Sequence, residues 1–285
     1  MKISIGLPSL VRNVRAETIP EWARRAEAAG FSSLSVGGRF TYPNVMDTVA
    51  LAAAAGATSS IGLVTNILVA PAWPPLLLAK ELAGIQGVSG GRLTAGLGIG
   101  GREDEFMAQG AGPRGAGKRM DDALEVFRDF WAGRPIPGKQ FAGVPGEGVE
   151  IPLLFGGTAP AALQRMAKWG KGYMSGTVPV SMSASWFDNA RRAWTDAGRE
   201  DKQYLVGTVH FALDDDSDRG RNYIYDFYSN LGEEVAALCS SAVVGSTDAA
   251  RDRVKQYEDL GVDELIFNPT IDDLDEIERL TEAVR

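Results

Sequence analysis

Residues able to do chemistry gather at four places in this 285-residue chain, and glycines crowd three of them. Gly37, Gly38, Arg39 and Phe40 follow one β-rich run, and Thr65, Asn66 and Ile67 end a second. Gly96, Leu97, Gly98, Ile99, Gly100, Gly101 and Arg102 end a third, while Gly156, Gly157 and Thr158 follow a fourth. Glycine at such ends lets a flat or anionic ligand approach the backbone and frees amide donors to face it. Residues 156–158 precede Pro160 and a helical run, so their amides would stand at a helix N-terminus, which suits a phosphate. They suit a plain strand-to-helix turn equally well. Arg39 offers a guanidinium that can neutralise an oxyanion or a developing negative charge, but it cannot act as a base near neutral pH. A salt bridge is the competing reading for it. Trp73 and Arg102 can line a substrate pocket or pack a loop. His210, inside a strand pattern, suits a packed core position better than a catalytic one.

Other chemistries are poorly supplied. One histidine and one cysteine, Cys239, give neither a metal-ligand spacing nor an intrachain disulfide, and a reducing cytoplasm fits. A net charge of -8 repels polyphosphate, and no basic cluster offsets it, so nucleic acid is not expected as a partner. Residues 1–6 read as a strand rather than as an export signal. The most apolar stretch, 67–79, contains Pro71, Pro74 and Pro75 and falls short of the ~20 residues that cross a bilayer, so no membrane is expected. Residues 96–101 satisfy G-x-G-x-x-G, yet Gly110, Gly112 and Pro113 interrupt the helix that a dinucleotide site requires, and Asp121 falls within a helical pattern. A phosphate-binding barrel of another class, an aldolase or isomerase, needs a buried lysine or paired carboxylates at strand ends. Neither is evident.

The elements that must position these groups alternate from end to end. Eight β-rich runs, 3–7, 33–36, 61–68, 93–97, 153–155, 172–175, 204–212 and 264–268, are separated by helical patterns, the mark of βα units around a parallel sheet. The length fits the roughly 250 residues of a (β/α)8 TIM barrel, read as a single domain over residues 1–285. The first helix has Thr18 and Glu21 at capping-box spacing, turns Trp22, Ala26 and Ala29 to one face, and ends at Gly30. A helix from about Asp248 places Ala250, Val254 and Tyr257 together and ends at Gly261. Residues 121–131 make another amphipathic helix, and 133–148 read as an insertion loop before strand 5, although the same composition shift suits a boundary between two half-domains. Near the C-terminal end, 214–241 carries Tyr223, Tyr225, Phe227 and Tyr228, which suits a helical excursion over the barrel mouth as well as plain core packing.

The stretches AEAAGFSSLSV, AAAAGATSSIGLVTNILVAPAWPPLLLAKELAGIQGVSGGRLTAGLGIGG, LLFGGTAPAALQRMAKWGKGY and VVGSTDAARDRVKQYEDLGVDELIF resemble, in order, the luciferase-like monooxygenase superfamily. The resemblance covers most of the chain. It implies a (β/α)8 barrel and a reduced cofactor, FMN or the deazaflavin coenzyme F-420, serving oxygen insertion or hydride transfer on a small organic substrate. It places Asn66 and Ile67 at a bulge that often holds a non-proline cis peptide beneath the cofactor ring, and Gly156, Gly157 and Thr158 on the cofactor phosphate. Thr65, Gly100 and Gly101 fall to the same cofactor site, Arg39 to catalysis, and Trp73 and Arg102 to the substrate pocket. The chain departs from the family at Gly38 and Arg39, where many members carry an acid and a histidine, and at Gly101, where some carry a glutamate. Proton-transfer chemistry is therefore not carried over. A non-catalytic flavin-binding barrel stays open, as do a homodimer, the choice between the two cofactors and the identity of the substrate. The AKELAGIQGVSGGRLTAGLGIGG block is closer to the deazaflavin group.

Overall fold

The computed structural model describes all of residues 1–285 except 137, 139–141, 146 and 147, so part of the 133–148 insertion-loop expectation lies outside the described residues. Among the described residues the strands are β1 (Lys2–Gly6), β2 (Ser33–Val36), β3 (Gly62–Thr65), β4 (Leu68–Val69), β5 (Leu93–Gly98), β6 (Leu153–Phe155), β7 (Gly172–Met174), β8 (Tyr204–Phe211) and β9 (Glu264–Pro269). All pair in parallel in one sheet, and β3 closes onto β5 to complete a barrel. β4 pairs with β5 alone, Leu68 opposite Leu97, so β3 and β4 are two pieces of one barrel position. The architecture is the expected (β/α)8 TIM barrel of eight strand positions. The expected single run 61–68 is corrected: the strand stops at Thr65 and resumes at Leu68.

The helices are α1 (Thr18–Ala28), α2 (Asp47–Ala57), α3 (Pro75–Val88), α4 (Glu103–Ala108), α5 (Ala116–Trp131), α6 (Pro160–Trp169), α7 (Val180–Asp196), α8 (Ser217–Tyr228), α9 (Glu233–Ser241), α10 (Thr247–Asp259) and α11 (Asp275–Val284). Parallel strands covered by helices outside and side chains inside are buried on both faces, which is why they read as short apolar runs. Val64, Leu154, Met174, Val206 and Ile266 fill the barrel axis, and Trp22, Phe127, Phe187 and Tyr257 are buried between the strands and the helical ring.

Glycine stops α1 and α10 as expected: Gly30 and Gly261 adopt φ of 78° and 67°. The capping box at the start of α1 does not form. Thr18 already lies inside the helix, and its hydroxyl donates to the Arg15 carbonyl at 2.7 Å rather than accepting from the first turn. The helix read as 121–131 begins five residues earlier, after Gly115 in a left-handed conformation, because Ala116 and Met120 extend its buried face. The 214–241 excursion is α8 followed by α9.

Candidate active site

The C-terminal strand ends open into a cavity of about 400 Å3, within the range of small-molecule and cofactor sites. A second lobe of about 230 Å3 adjoins it, sharing Gly37, Asn66, Ile67, Phe227 and Tyr228. Asn66 and Ile67 thus stand between the lobes, and the peptide joining them is cis, as the resemblance implies. Asn66 is held in place by Asn268, whose Oδ1 accepts from Asn66 Nδ2 at 3.2 Å and from Ser35 Oγ at 2.9 Å. Ile67 points at β5 and β6: a Cβ on Gly98 would overlap its side chain, and one on Gly156 would stand 3.0 Å from its Cδ1.

That packing explains much of the glycine-rich run. A Cβ on Gly96 would overlap the Thr65 carbonyl oxygen, and one on Gly100 would stand 2.6 Å from Val69 Cγ1. Gly96, Gly98 and Gly100 therefore make room for the displaced segment between β3 and β4. Gly101 has no neighbour within 4 Å of its missing Cβ and leaves the smaller lobe open. Gly156, Gly157 and Thr158 line the larger lobe one residue before the start of α6, with Gly157 at φ 107°. Thr65 is buried with its hydroxyl donating to the Gly96 carbonyl at 2.8 Å, and it does not line the cavity. Trp73 also stays outside, packed edge-on to Phe40 at 5.4 Å.

The two lobes differ in charge. Among the described residues no Lys, Arg, Asp or Glu lines the larger. The smaller contains Arg39, Arg102 and Glu105. Arg39 is engaged from α4: its Nε donates to Glu105 at 2.8 Å and its Nη2 to Asp104 at 2.8 Å. Burial works against the Asp104 carboxyl, but the Thr41 hydroxyl and the Arg39 charge hold it below its usual range. Arg102 donates to the Phe227 carbonyl at 3.1 Å and to the Asn230 amide oxygen, and its guanidinium lies 4.8 Å from the Phe227 ring centre. Among the described residues no carboxylate lies within salt-bridge distance of Arg102; burial and the neighbouring Arg39 depress its pKa. Tyr223, Phe227 and Tyr228 of α8 face the cavity, whereas Tyr225 is exposed.

Sequence reasoning missed two acids here. Glu105 is the buried partner of Arg39, and Asp47, at the start of α2, fills the space beside Gly38 so closely that a Cβ there would overlap its carboxylate. Burial pushes Asp47 up to about 6. Because the folded state binds that proton more tightly than the unfolded chain, stability should fall as pH rises from about 4 to about 6. We expect Asp47→Asn, which keeps an acceptor for the Thr48 N–H, to stabilise the chain at pH 7 by roughly 2 kcal/mol, with the gain vanishing near pH 4. Urea unfolding at both pH values checks this, and a gain independent of pH would contradict it.

The C-terminal strand ends thus enclose a glycine-walled cavity beside a helix N-terminus, of the size of small-molecule sites. The chain belongs to the luciferase-like monooxygenase family, which it matches over residues 4–264. It is 24% identical over 255 residues to the oxygenase component of the flavin-dependent trigonelline monooxygenase of Acinetobacter baylyi, covering 75% of this chain and 71% of that protein. It is 29% identical over 185 residues to an uncharacterized protein of Mycobacterium tuberculosis, covering 54% of this chain and 63% of the relative, so it spans less than two thirds of that protein. In fold it is similar to an F420-dependent secondary alcohol dehydrogenase in complex with an F420-acetone adduct, at a TM-score of 0.80 and 19% identity over 100% of both chains. It is likewise similar to the FMN-bound oxygenating constituent of 3,6-diketocamphane monooxygenase from Pseudomonas putida, at 0.75 and 13%, covering 100% of this chain and 99% of that one.

Proposed function

We propose that this protein is an oxidoreductase that holds a reduced flavin or deazaflavin, FMN or coenzyme F-420, in the larger lobe and acts on a small organic substrate. One observation carries the reading: the Ile67 bulge and the glycines before α6 line the same cavity. The residues present fit such a cofactor. Gly37, Gly156 and Gly157 line the lobe beside Asn66 and Ile67, so no side chain from those three positions enters the space a ring would need. When bound, the cofactor would supply a hydride, or electrons for oxygen activation. The protein's part is binding, orientation and exclusion of water. Residues 66 and 67 support the ring, α8 covers the mouth with Phe227 and Tyr228, and the amides of residues 156–158 face the phosphate at the positive end of α6.

The resemblance of residues 79–101 to the deazaflavin group favours that cofactor of the two. Arg39, with two carboxylates on its donors, acts here by positioning α4 and by its charge, while Arg102 lines the smaller lobe beside it. The unpaired Cys239 suits a reducing cytoplasm.

Thr158→Val tests the phosphate site. Loss of one hydrogen bond to a charged group, worth about 1.5–3 kcal/mol, should weaken cofactor affinity roughly ten- to hundredfold. The comparison is FMN against riboflavin, and the deazaflavin against its phosphate-free core, in wild type and mutant. A phosphate advantage that survives the mutation in full would move the anion site elsewhere.

A further inference from the structure

The larger lobe contains the chain's one histidine, and the cofactor reading leaves it without a task. His210 projects inward from β8, two residues beyond Thr208 and four beyond Val206, a member of the axial layer. Thr208 is satisfied by donating to the Ser175 carbonyl at 2.8 Å. His210 is not: both ring nitrogens are shielded from water, and among the described residues neither has a well-formed hydrogen bond, only a weak approach to the Asn268 backbone. The nearest aromatic neighbour offers no relief, because Tyr228, whose ring centre is 6.3 Å from that of the imidazole, has its hydroxyl paired with Thr177 Oγ1 at 3.2 Å. A histidine serving only to pack the core would have at least one nitrogen satisfied, since an unpaired buried polar group costs about 1–3 kcal/mol.

We propose that His210 receives the carbonyl or hydroxyl oxygen of an uncharged organic substrate in the larger lobe. Burial holds the imidazole down to about 4, offset only in part by the Asn268 backbone, so near neutral pH it presents one donor and one acceptor. The described residues along this lobe, none of them Lys, Arg, Asp or Glu, select in the same direction: a carboxylate or ammonium placed there would lose its hydration without gaining a counter-charge from them. A ketone or alcohol loses little hydration and gains the bond that the imidazole lacks. The proposal rests on the oxidoreductase reading for the word substrate; the contact itself does not depend on it.

A single histidine makes the test direct. In protein labelled with [15N]histidine, both imidazole nitrogen resonances belong to His210. Loaded in turn with FMN and with the deazaflavin, the labelled protein is titrated with acetone, cyclohexanone and acetophenone, with their alcohols, and with benzoate. The expected result is a saturable shift of at least one ring nitrogen with a ketone or alcohol, and none with benzoate. His210→Phe should weaken binding of the same probe by roughly tenfold while cofactor affinity changes less than about twofold, and His210→Gln, which keeps a donor and an acceptor, should recover most of the loss. Resonances that move on cofactor addition and no further would assign His210 to the cofactor, and resonances that no compound moves would return it to the core. Either result overturns the proposal. Failure of both cofactors to bind would overturn the oxidoreductase reading instead, and the same probe titration on the cofactor-free protein would still decide the role of His210.

Discussion

Glu105→Ala is expected to lower the stability of the chain by roughly 3–5 kcal/mol, the range found when one partner of a buried ion pair is removed. Glu105 is 5% exposed and its partner Arg39 10% exposed, and the carboxylate accepts from Arg39 Nε at 2.8 Å and the Phe40 N–H at 2.6 Å. Truncation therefore strands a half-desolvated guanidinium and a backbone donor together. Asp104, 44% exposed, holds only the outer edge of the fork. Glu105→Gln keeps the shape and an acceptor but removes the charge, so its cost should be smaller. The double variant Glu105→Ala with Arg39→Ala should lose less than the sum of the singles, because the stranded charge leaves with its partner. Urea midpoints at constant m-value read all four proteins. A loss below about 1 kcal/mol for Glu105→Ala would show that the pair is a surface salt bridge of the ordinary weak kind.

Gly96→Ala should be nearly as damaging, at about 3 kcal/mol or more, although it adds one methyl group. The added Cβ would overlap the Thr65 carbonyl oxygen and stand 3.2 Å from Ile67 Cγ2. Neither obstacle is the free end of a flexible side chain: the carbonyl belongs to the seam where β3 meets β5, and Thr65 Oγ1 is itself bonded to the Gly96 carbonyl. Gly101→Ala is the control, since nothing lies within 4 Å of its missing Cβ and its φ is not positive; its stability should stay within about 0.5 kcal/mol of wild type. Thermal and urea unfolding of the two variants side by side separate a packing requirement from a generic cost of replacing glycine. Equal effects would remove the packing explanation.

The contrast between these glycines marks what the sequence carries and what it conceals. Strand positions were legible because parallel strands buried on two faces read as apolar runs, and the ends of α1 and α10 were legible because a left-handed stop at Gly30 or Gly261 is a local requirement. The glycine-rich strand ends were legible as places of close approach, but not what approaches: for Gly96, Gly98 and Gly100 it is the chain's own segment between β3 and β4. The break at residues 66 and 67 is marked in the sequence only by the polar pair Thr65 and Asn66 within the run 61–68, which alternation alone does not distinguish from a continuous strand. Arg39 was visible as a charge at the mouth; its partner was not, because Glu105 lies 66 positions away and its burial is a tertiary fact. Three acids opening a turn before Phe106 were the one local hint of α4. Asp47 gave no hint at all, since only the packing of α2 against Gly38 buries it.

We expect the barrel mouth to bind a reduced or oxidised flavin-type cofactor through its ring and its phosphate. Fluorescence titration of the protein with FMN and with the deazaflavin, each oxidised and reduced, measures this. The expected result is saturable binding at one site per chain, tighter for the deazaflavin than for FMN and weakened roughly tenfold or more by Thr158→Val. Absence of saturable binding by either cofactor in either redox state would contradict it.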